Sequence, residues 1–154
     1  MRGSTASDVV RYLKEKKGAL IMIGSEAKRL NVNGKGLLEY TCSLADKLHA
    51  RIAATGSTAK DLRKTSEAEV SAIGAAELVN KLRNDREADS GEELPGCLVL
   101  LGYNSRVGRS LVSGLEGFET VFLGSSHVEE ATLSLPVSSL SVWQQSLTEI
   151  LEQL

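Results

Sequence analysis

Gly96-Cys97-Leu98-Val99-Leu100-Leu101-Gly102-Tyr103-Asn104-Ser105 is the stretch of this sequence that decides the fold. Its five residues from Cys97 to Leu101 are all apolar, with no polar alternation between them. Such a run is typical of a strand covered on both faces, as in a parallel sheet that lies between two layers of helices. The glycine and the polar residues that follow predict a turn where this strand stops.

Three other apolar runs end in the same way, at Gly24-Ser25, Gly56-Ser57 and Gly124-Ser125. Strands that alternate with helices pair in parallel, so their carboxyl ends meet at one edge of the sheet. Ligands of open α/β sheets bind at that edge. The candidate cofactor-binding residues are therefore those at the four strand ends: Gly24, Ser25, Thr55, Gly56, Ser57, Gly102, Tyr103, Gly124 and Ser125.

The hydrophobic periodicity predicts helices and strands that alternate around these runs. Helices are predicted over 8–17 with Ser7 as N-cap, 35–49, 57–63 with Ser57 or Thr58 as cap, 74–84, 104–113 with Asn104 or Ser105 as cap and Val107 facing inward, and from Ser139 or Ser141 to 154. Strands are predicted over 19–23, 51–55, 69–73 as a half-buried or edge strand, 97–101, 119–123 and 131–135. A loop is predicted over 25–36.

This order of elements predicts one α/β domain over 1–154, with a three-layer, doubly wound, mainly parallel sheet of the Rossmann-like kind. Residues 1–6 are expected to be flexible. The strongly charged segment 84–95, which ends at Pro95, is expected to be a solvent-exposed loop.

Composition narrows the class of protein. The chain has 154 residues, of which 42% are hydrophobic and 25% charged, as in ordinary globular domains. A formal net charge of -2 supplies no basic field, so nucleic acid and anionic membranes are not expected partners. No apolar run is long enough to span a bilayer, and the start does not resemble a secretory signal. Two cysteines without a pairing pattern indicate reduced thiols and a cytoplasmic location.

The first strand-to-helix turn does not carry the glycine pattern of a dinucleotide site. That pattern is G-x-G-x-x-G, whereas Gly24-Ser25-Glu26-Ala27 lacks the later glycines. The acidic residue expected at the end of the second strand is replaced by Thr55. The glycines are interpreted either as turn formers or as a degenerate nucleotide crevice, and the first interpretation is preferred.

No catalytic residue and no metal site are predicted. Two cysteines and two histidines, without C-x-x-C or H-x-x-x-H spacing, do not supply the ligands of a zinc site or an iron–sulfur cluster. His127 lies near the predicted ligand edge, but no nucleophile is evident beside it. Cys42 and Cys97 are expected to be core thiols. Trp143 is expected either to close the core, which is preferred, or to anchor a partner.

Five segments, in order, resemble a known family. They are Lys17-Gly18-Ala19-Leu20-Ile21-Met22-Ile23-Gly24-Ser25-Glu26-Ala27, Ile52-Ala53-Ala54-Thr55-Gly56-Ser57, Glu77-Leu78-Val79-Asn80-Lys81-Leu82, Leu98-Val99-Leu100-Leu101-Gly102-Tyr103, and the final helix from Val142-Trp143 to Leu154. Together they resemble the epsilon subunit of the archaeal acetyl-CoA decarbonylase/synthase complex. The resemblance covers nearly the whole chain, and it rests on order and spacing.

The resemblance implies a fold similar to the NAD/FAD-binding domain of deoxyhypusine synthase. It also implies an assembly of two large and two small subunits, with a homodimer of the small chain expected. The large partner would be the alpha subunit, a carbon monoxide dehydrogenase that carries the nickel and iron–sulfur chemistry. The implied role of the small subunit is to stabilise the large one or to assist electron transfer through bound FAD.

Three hypotheses of function follow. The first is an accessory, non-catalytic subunit. The second is a stand-alone module that binds flavin or nucleotide at the four strand ends. The third, to which little weight is given, is a hydrolase or transferase built around His127.

Overall fold

The structure is a computed structural model that describes residues 3–88 and 94–154. Its helices are α1 (Ala6–Glu15), α2 (Leu37–Leu48), α3 (Gly56–Thr65), α4 (Ala75–Ala88), α5 (Ser105–Gly114) and α6 (Leu140–Gln153). Its strands are β1 (Ala19–Ile23), β2 (Asn31–Val32), β3 (Lys35–Gly36), β4 (Arg51–Ala54), β5 (Val70–Ala72), β6 (Cys97–Leu101), β7 (Thr120–Phe122) and β8 (Leu133–Ser134).

Six strands form one parallel sheet in the order β5-β4-β1-β6-β7-β8. The two central strands, β1 and β6, are buried along their whole length and pair from Ala19 beside Cys97 to Ile23 beside Leu101. This is the arrangement that the two uninterrupted apolar runs predict, because such strands have no face toward water. The predicted fold class, a doubly wound parallel sheet of the Rossmann-like kind, is confirmed.

Helices cover both faces of this sheet and complete the three layers. Alternate residues of a strand point to opposite faces, so Ile21 and Val99 face a core made with α1, α2, α3 and α6, while Leu20 and Leu98 face a second core made with α4 and α5. Both cores exclude water almost completely. Trp143 belongs to the first core and donates its Nε1–H to Leu123 O at 3.0 Å, which confirms the preferred interpretation of this side chain.

The predicted loop over 25–36 is wrong, because this segment contains regular structure. Residues Ser25–Arg29 form a short 3-10 helix, and β2 pairs antiparallel with β3. Asn33 and Gly34 connect the two strands with φ angles of 49° and 83°. An Asn-Gly pair with two positive φ angles is the preferred two-residue hairpin turn, so this dipeptide was the signal that could have predicted the hairpin.

Several helix ends differ from the predicted ones because the chain uses other capping residues. Helix α1 begins at Ala6 rather than Asp8, because Thr5, not Ser7, is the N-cap: Asp8 N–H donates to Thr5 Oγ1 and Thr5 N–H donates to Asp8 Oδ2. Helix α3 begins at Gly56 with Thr55 as N-cap, and neither Ser57 nor Thr58 caps it. Asn104 caps α5 and Ser139 caps α6, each as one of two predicted alternatives.

The charged connection is shorter than predicted. Helix α4 runs to Ala88, so residues 84–88 are helical, and residues 89–93 lie outside the described residues. The first part of this segment stays helical because Lys81 Nζ donates to Asp85 Oδ2 at 2.8 Å and Arg86 donates to Glu116 O at 3.0 Å. Of the segment 1–6 that was expected to be flexible, residues 1 and 2 are not described, while Ser4 N–H donates to Ser134 O at 2.7 Å.

Candidate functional site

The carboxyl ends of β1, β4, β5 and β6 meet around a cleft of about 170 Å³. It lies where strand order reverses, since β4 is beside β1 on one side and β6 is beside it on the other. In open α/β sheets this position opens a crevice, because successive crossovers leave the sheet in opposite directions. The cleft is lined by Ile23, Gly24, Ser25, Glu26, Thr55, Ile73, Ala75, Gly102, Tyr103, Asn104 and Val107.

Two glycines in direct contact form the floor of this cleft. Gly24 N–H donates to Leu101 O at 2.8 Å, and Gly102 has a φ angle of 76°, a conformation that other residues rarely adopt. A Cβ atom on Gly24 would collide with Gly102 O and with the ring of Tyr103. The two strand ends are therefore closed against each other, and the Tyr103 ring covers the contact.

Tyr103 supplies the one aromatic ring of the cleft among the described residues. Burial raises the pKa of its phenol well above the ordinary value of 10.0, so the hydroxyl stays protonated at neutral pH. A neutral phenol can donate or accept a hydrogen bond and can stack on a planar group. It cannot act there as a base or an anionic nucleophile.

Three helices begin at the rim of the cleft. Thr55 is the N-cap of α3, Asn104 is the N-cap of α5, and Ala75 is the first residue of α4. Helix N-termini carry partial positive charge and present unpaired N–H groups. Asn104 Oδ1 already accepts Val107 N–H at 2.9 Å, whereas no side chain caps α3. The rim is therefore suited to bind a polar group, although the carboxylate of Glu26 also lines it.

Five of the nine predicted cofactor-binding residues line this cleft: Gly24, Ser25, Thr55, Gly102 and Tyr103. Gly56 and Ser57 form the first turn of α3 beside Thr55 but do not line the cleft. Ser57 Oγ instead accepts a hydrogen bond from Lys28 Nζ at 3.3 Å.

Gly124 and Ser125 are not brought to the cleft. They follow β7, and β6 lies between β7 and β1, so the ends of β1 and β7 are about 10 Å apart at two strand spacings. The Phe122 ring lies against Gly124, and Ser125 O accepts Ser138 N–H at 3.0 Å. The four strand ends therefore do not line one cleft, and a role of Gly124 and Ser125 in binding a cofactor stays a prediction.

The sequence did not identify Glu26, Ile73, Ala75, Asn104 and Val107 as lining residues. Asn104 was recognised only as a helix cap. Val107 was predicted to face the core, but its side chain is 40% exposed at the cleft. Ile73 and Ala75 flank the end of the edge strand β5, and their place depends on a strand order that no local pattern encodes.

The cleft does not fit a whole FAD molecule, the cofactor that the resemblance implies. It encloses about 170 Å³, whereas pockets that bury drug-sized ligands enclose roughly 300–1,000 Å³. The Gly24–Gly102 contact closes the crevice between β1 and β6, and the Tyr103 ring covers it. In addition, the 3-10 helix and the β2–β3 hairpin separate β1 from the N-terminus of α2, where a dinucleotide fold holds the pyrophosphate.

The remaining titratable candidates lie elsewhere. His127 Nδ1 is 3.4 Å from Leu135 O, and this side chain does not line the cleft. Cys42 and Cys97 are buried free thiols, and burial raises the pKa of Cys97 to about 11. Among residues 3–88 and 94–154, no group of three or more His, Cys, Asp or Glu side chains is arranged to hold a metal ion.

Comparison with known proteins gives no assignment: no protein-family model matches the chain, and no curated protein matches it. Within the described part of the chain, no helix combines the length and apolar character needed to cross a membrane.

Proposed function

We propose that this chain is an accessory, non-catalytic subunit of the acetyl-CoA decarbonylase/synthase type, equivalent to the epsilon subunit, that stabilises a large carbon monoxide dehydrogenase subunit. In this proposal the large subunit carries the nickel and iron–sulfur centres. The assembly would contain two large and two small chains.

One observation carries the proposal. The five segments that resemble the epsilon subunit coincide with β1, β4, α4, β6 and α6, which are the centre of the sheet and helices on both of its faces. The resemblance therefore follows the core of a Rossmann-like domain, which is the kind of fold that it implies.

Co-expression with the large carbon monoxide dehydrogenase subunit tests the proposal. We expect the two chains to co-purify and to elute together in size exclusion at the mass of an assembly of two large and two small subunits. The small chain should also raise the melting temperature of the large subunit, because a partner that binds only the folded state stabilises it. An unrelated small α/β domain expressed in the same way is the control. Elution of this chain alone would contradict the proposal.

A second candidate function is supported by the cleft at the switch point. Its two glycines, the Tyr103 ring and the three helix N-termini are suited to a small planar or anionic group. The ligand would be closer in size to a mononucleotide than to FAD. An accessory subunit could carry such a site, so the two functions are compatible.

A further inference from the structure

A second cleft, of about 430 Å³, lies at the opposite edge of the sheet, where the strands begin. Its walls are the C-terminal turns of α1 and α2, the turn before β1, and Leu154, which follows α6. Its charged and titratable side chains are Lys14, Lys16, Lys17, Lys47 and His49. We call it the basic cleft.

The basic cleft carries an excess of positive charge. No Asp or Glu side chain lines it in the described part of the chain, and the exposed acids Glu15 and Asp46 lie outside it. Lys16 forms an ion pair with Glu119 at 2.6 Å. In contrast, no hydrogen bond or ion pair within residues 3–88 and 94–154 holds Lys14, Lys17 or Lys47.

Helix ends account for only part of this charge. The C-terminus of a helix carries roughly half a negative charge, so α1 and α2 together offset about one lysine. Positive charge in the cleft therefore remains uncompensated, on a chain whose formal net charge is -2. Such a separation of charge directs an acidic partner to one face of the molecule.

The backbone beneath these lysines is held in place. Gly18 has a φ angle of 71°, and its carbonyl accepts Gly96 N–H at 3.0 Å. His49 has a φ angle of 52° and ends α2, while Ala50 N–H donates to Ala45 O at 2.9 Å. The backbone that carries the lysines is therefore already ordered, so binding has to order only their side chains.

We propose that the basic cleft binds a carboxylate-rich segment of a partner protein. Helix C-termini present carbonyl oxygens at this edge, so a phosphate would lack the backbone N–H donors found at helix N-termini. The charged groups are lysines, without the bidentate fork of arginine that suits phosphate. The apolar side chains of Leu13 and Leu48 also line the cleft, which suits a peptide with occasional apolar residues. The inference goes beyond the proposed function and does not depend on which protein supplies the segment.

Fluorescence anisotropy with a labelled oligo-glutamate peptide tests this inference on the full chain at low ionic strength. We expect saturable binding that weakens with added salt, because exposed charges are screened. The variant Lys14→Glu/Lys17→Glu/Lys47→Glu should bind about tenfold more weakly or not at all, since it reverses the charge that attracts the peptide. Lys14→Gln/Lys17→Gln/Lys47→Gln removes the charge with less effect on the helix ends and should also weaken binding.

Arg29→Glu/Lys35→Glu/Lys60→Glu is the matched control, because it changes the net charge equally at exposed positions outside the basic cleft. It should bind as the wild type does. Circular dichroism verifies the fold of each variant. Absence of binding by the wild type, equal weakening in the control variant, or binding of polyphosphate in preference to oligo-glutamate would each overturn the proposal.

Discussion

Gly24 is the residue on which the candidate site depends most directly. It ends β1, it is buried, and its backbone touches Gly102 at the end of β6. The sequence shows a glycine after each of four strands, but the structural reason differs between them. Position 24 requires a glycine because Gly102 O and the Tyr103 ring leave no room for a Cβ atom, and position 102 requires one because its φ angle is positive. Position 56 does not require a glycine for either reason, since nothing lies within 4 Å of its Cβ position.

Gly24→Ala should therefore destabilise the protein by about 1–3 kcal/mol, as overpacking of a closed site does. The added methyl group would displace Tyr103 or separate the ends of β1 and β6. The measurement is the urea midpoint of unfolding.

Gly56→Ala is the control for this change, because it adds the same methyl group to open space at the first turn of α3. It should be neutral or stabilise by roughly 0.4–1 kcal/mol, since alanine has fewer unfolded conformations than glycine. Equal effects of the two substitutions would show that the Gly24–Gly102 contact is not tight.

Helix α1 shows how an element is attached at the other edge of the sheet. Tyr12 OH donates to Glu119 Oε1 at 2.7 Å, and Lys16 Nζ donates to Glu119 Oε2. These bonds join α1 to the residue before β7. The hydrogen bond from Lys16, followed by that from Tyr12, lowers the pKa of Glu119 below its ordinary value of 4.5.

This shift predicts a pH dependence of stability. A carboxyl group whose pKa is lower in the folded state contributes stability above its ordinary pKa, and that contribution is lost as pH falls through the folded value. Glu119→Gln should therefore melt at a lower temperature than the wild type at pH 7. The difference should shrink as pH falls below 4.5, and thermal melts across pH 3–7 measure it.

Glu152→Gln is the matched control, since Glu152 is exposed on α6 and has no partner among the described residues. It should leave the melting temperature nearly unchanged at every pH. A Glu119→Gln effect of constant size from pH 7 to pH 3 would contradict the role given to the ionised carboxylate.

Elements with strong local signals were predictable from the sequence, and those that depend on tertiary contacts were less so. The buried runs at β1 and β6 have no competing interpretation, so both strands were predicted with their observed bounds. The end of α4 was not predicted correctly, because the charged residues that indicate a solvated loop there are also the ones that stabilise the helix, through the hydrogen bonds of Lys81 and Arg86. The β2–β3 hairpin packs on α6 through Asn31 and Asn33, which a local pattern cannot show.

At the scale of the whole molecule, strand order decides which predicted residues form a site. Alternation of strands and helices predicts a parallel sheet, and hence a shared carboxyl edge. It does not predict that β7 lies one strand away from the β1–β6 crevice or that β5 lies at the edge. Gly24 and Gly102 therefore line the cleft and Gly124 does not, while the role of all three in binding a cofactor stays a prediction. The basic cleft at the opposite edge depends in the same way on the packing of α1 and α2 against α6.

The same architecture leads to a prediction about ligands. FAD should not be retained by the wild-type chain, because the cleft encloses about 170 Å³ and its floor is the closed Gly24–Gly102 contact. AMP is nearer the size of the cleft and tests the second candidate function. Equilibrium dialysis of the wild type against each ligand, together with the absorption spectrum of the purified protein, measures both.

Tyr103→Ala is the informative variant: it removes the ring that covers Gly24 but leaves the hydrogen bond from Gly24 N–H to Leu101 O. Retention of AMP by the wild type and its loss in Tyr103→Ala would support stacking on this ring. Retention of neither ligand would rule out the nucleotide function, and retention of FAD by the wild type would show that the contact opens.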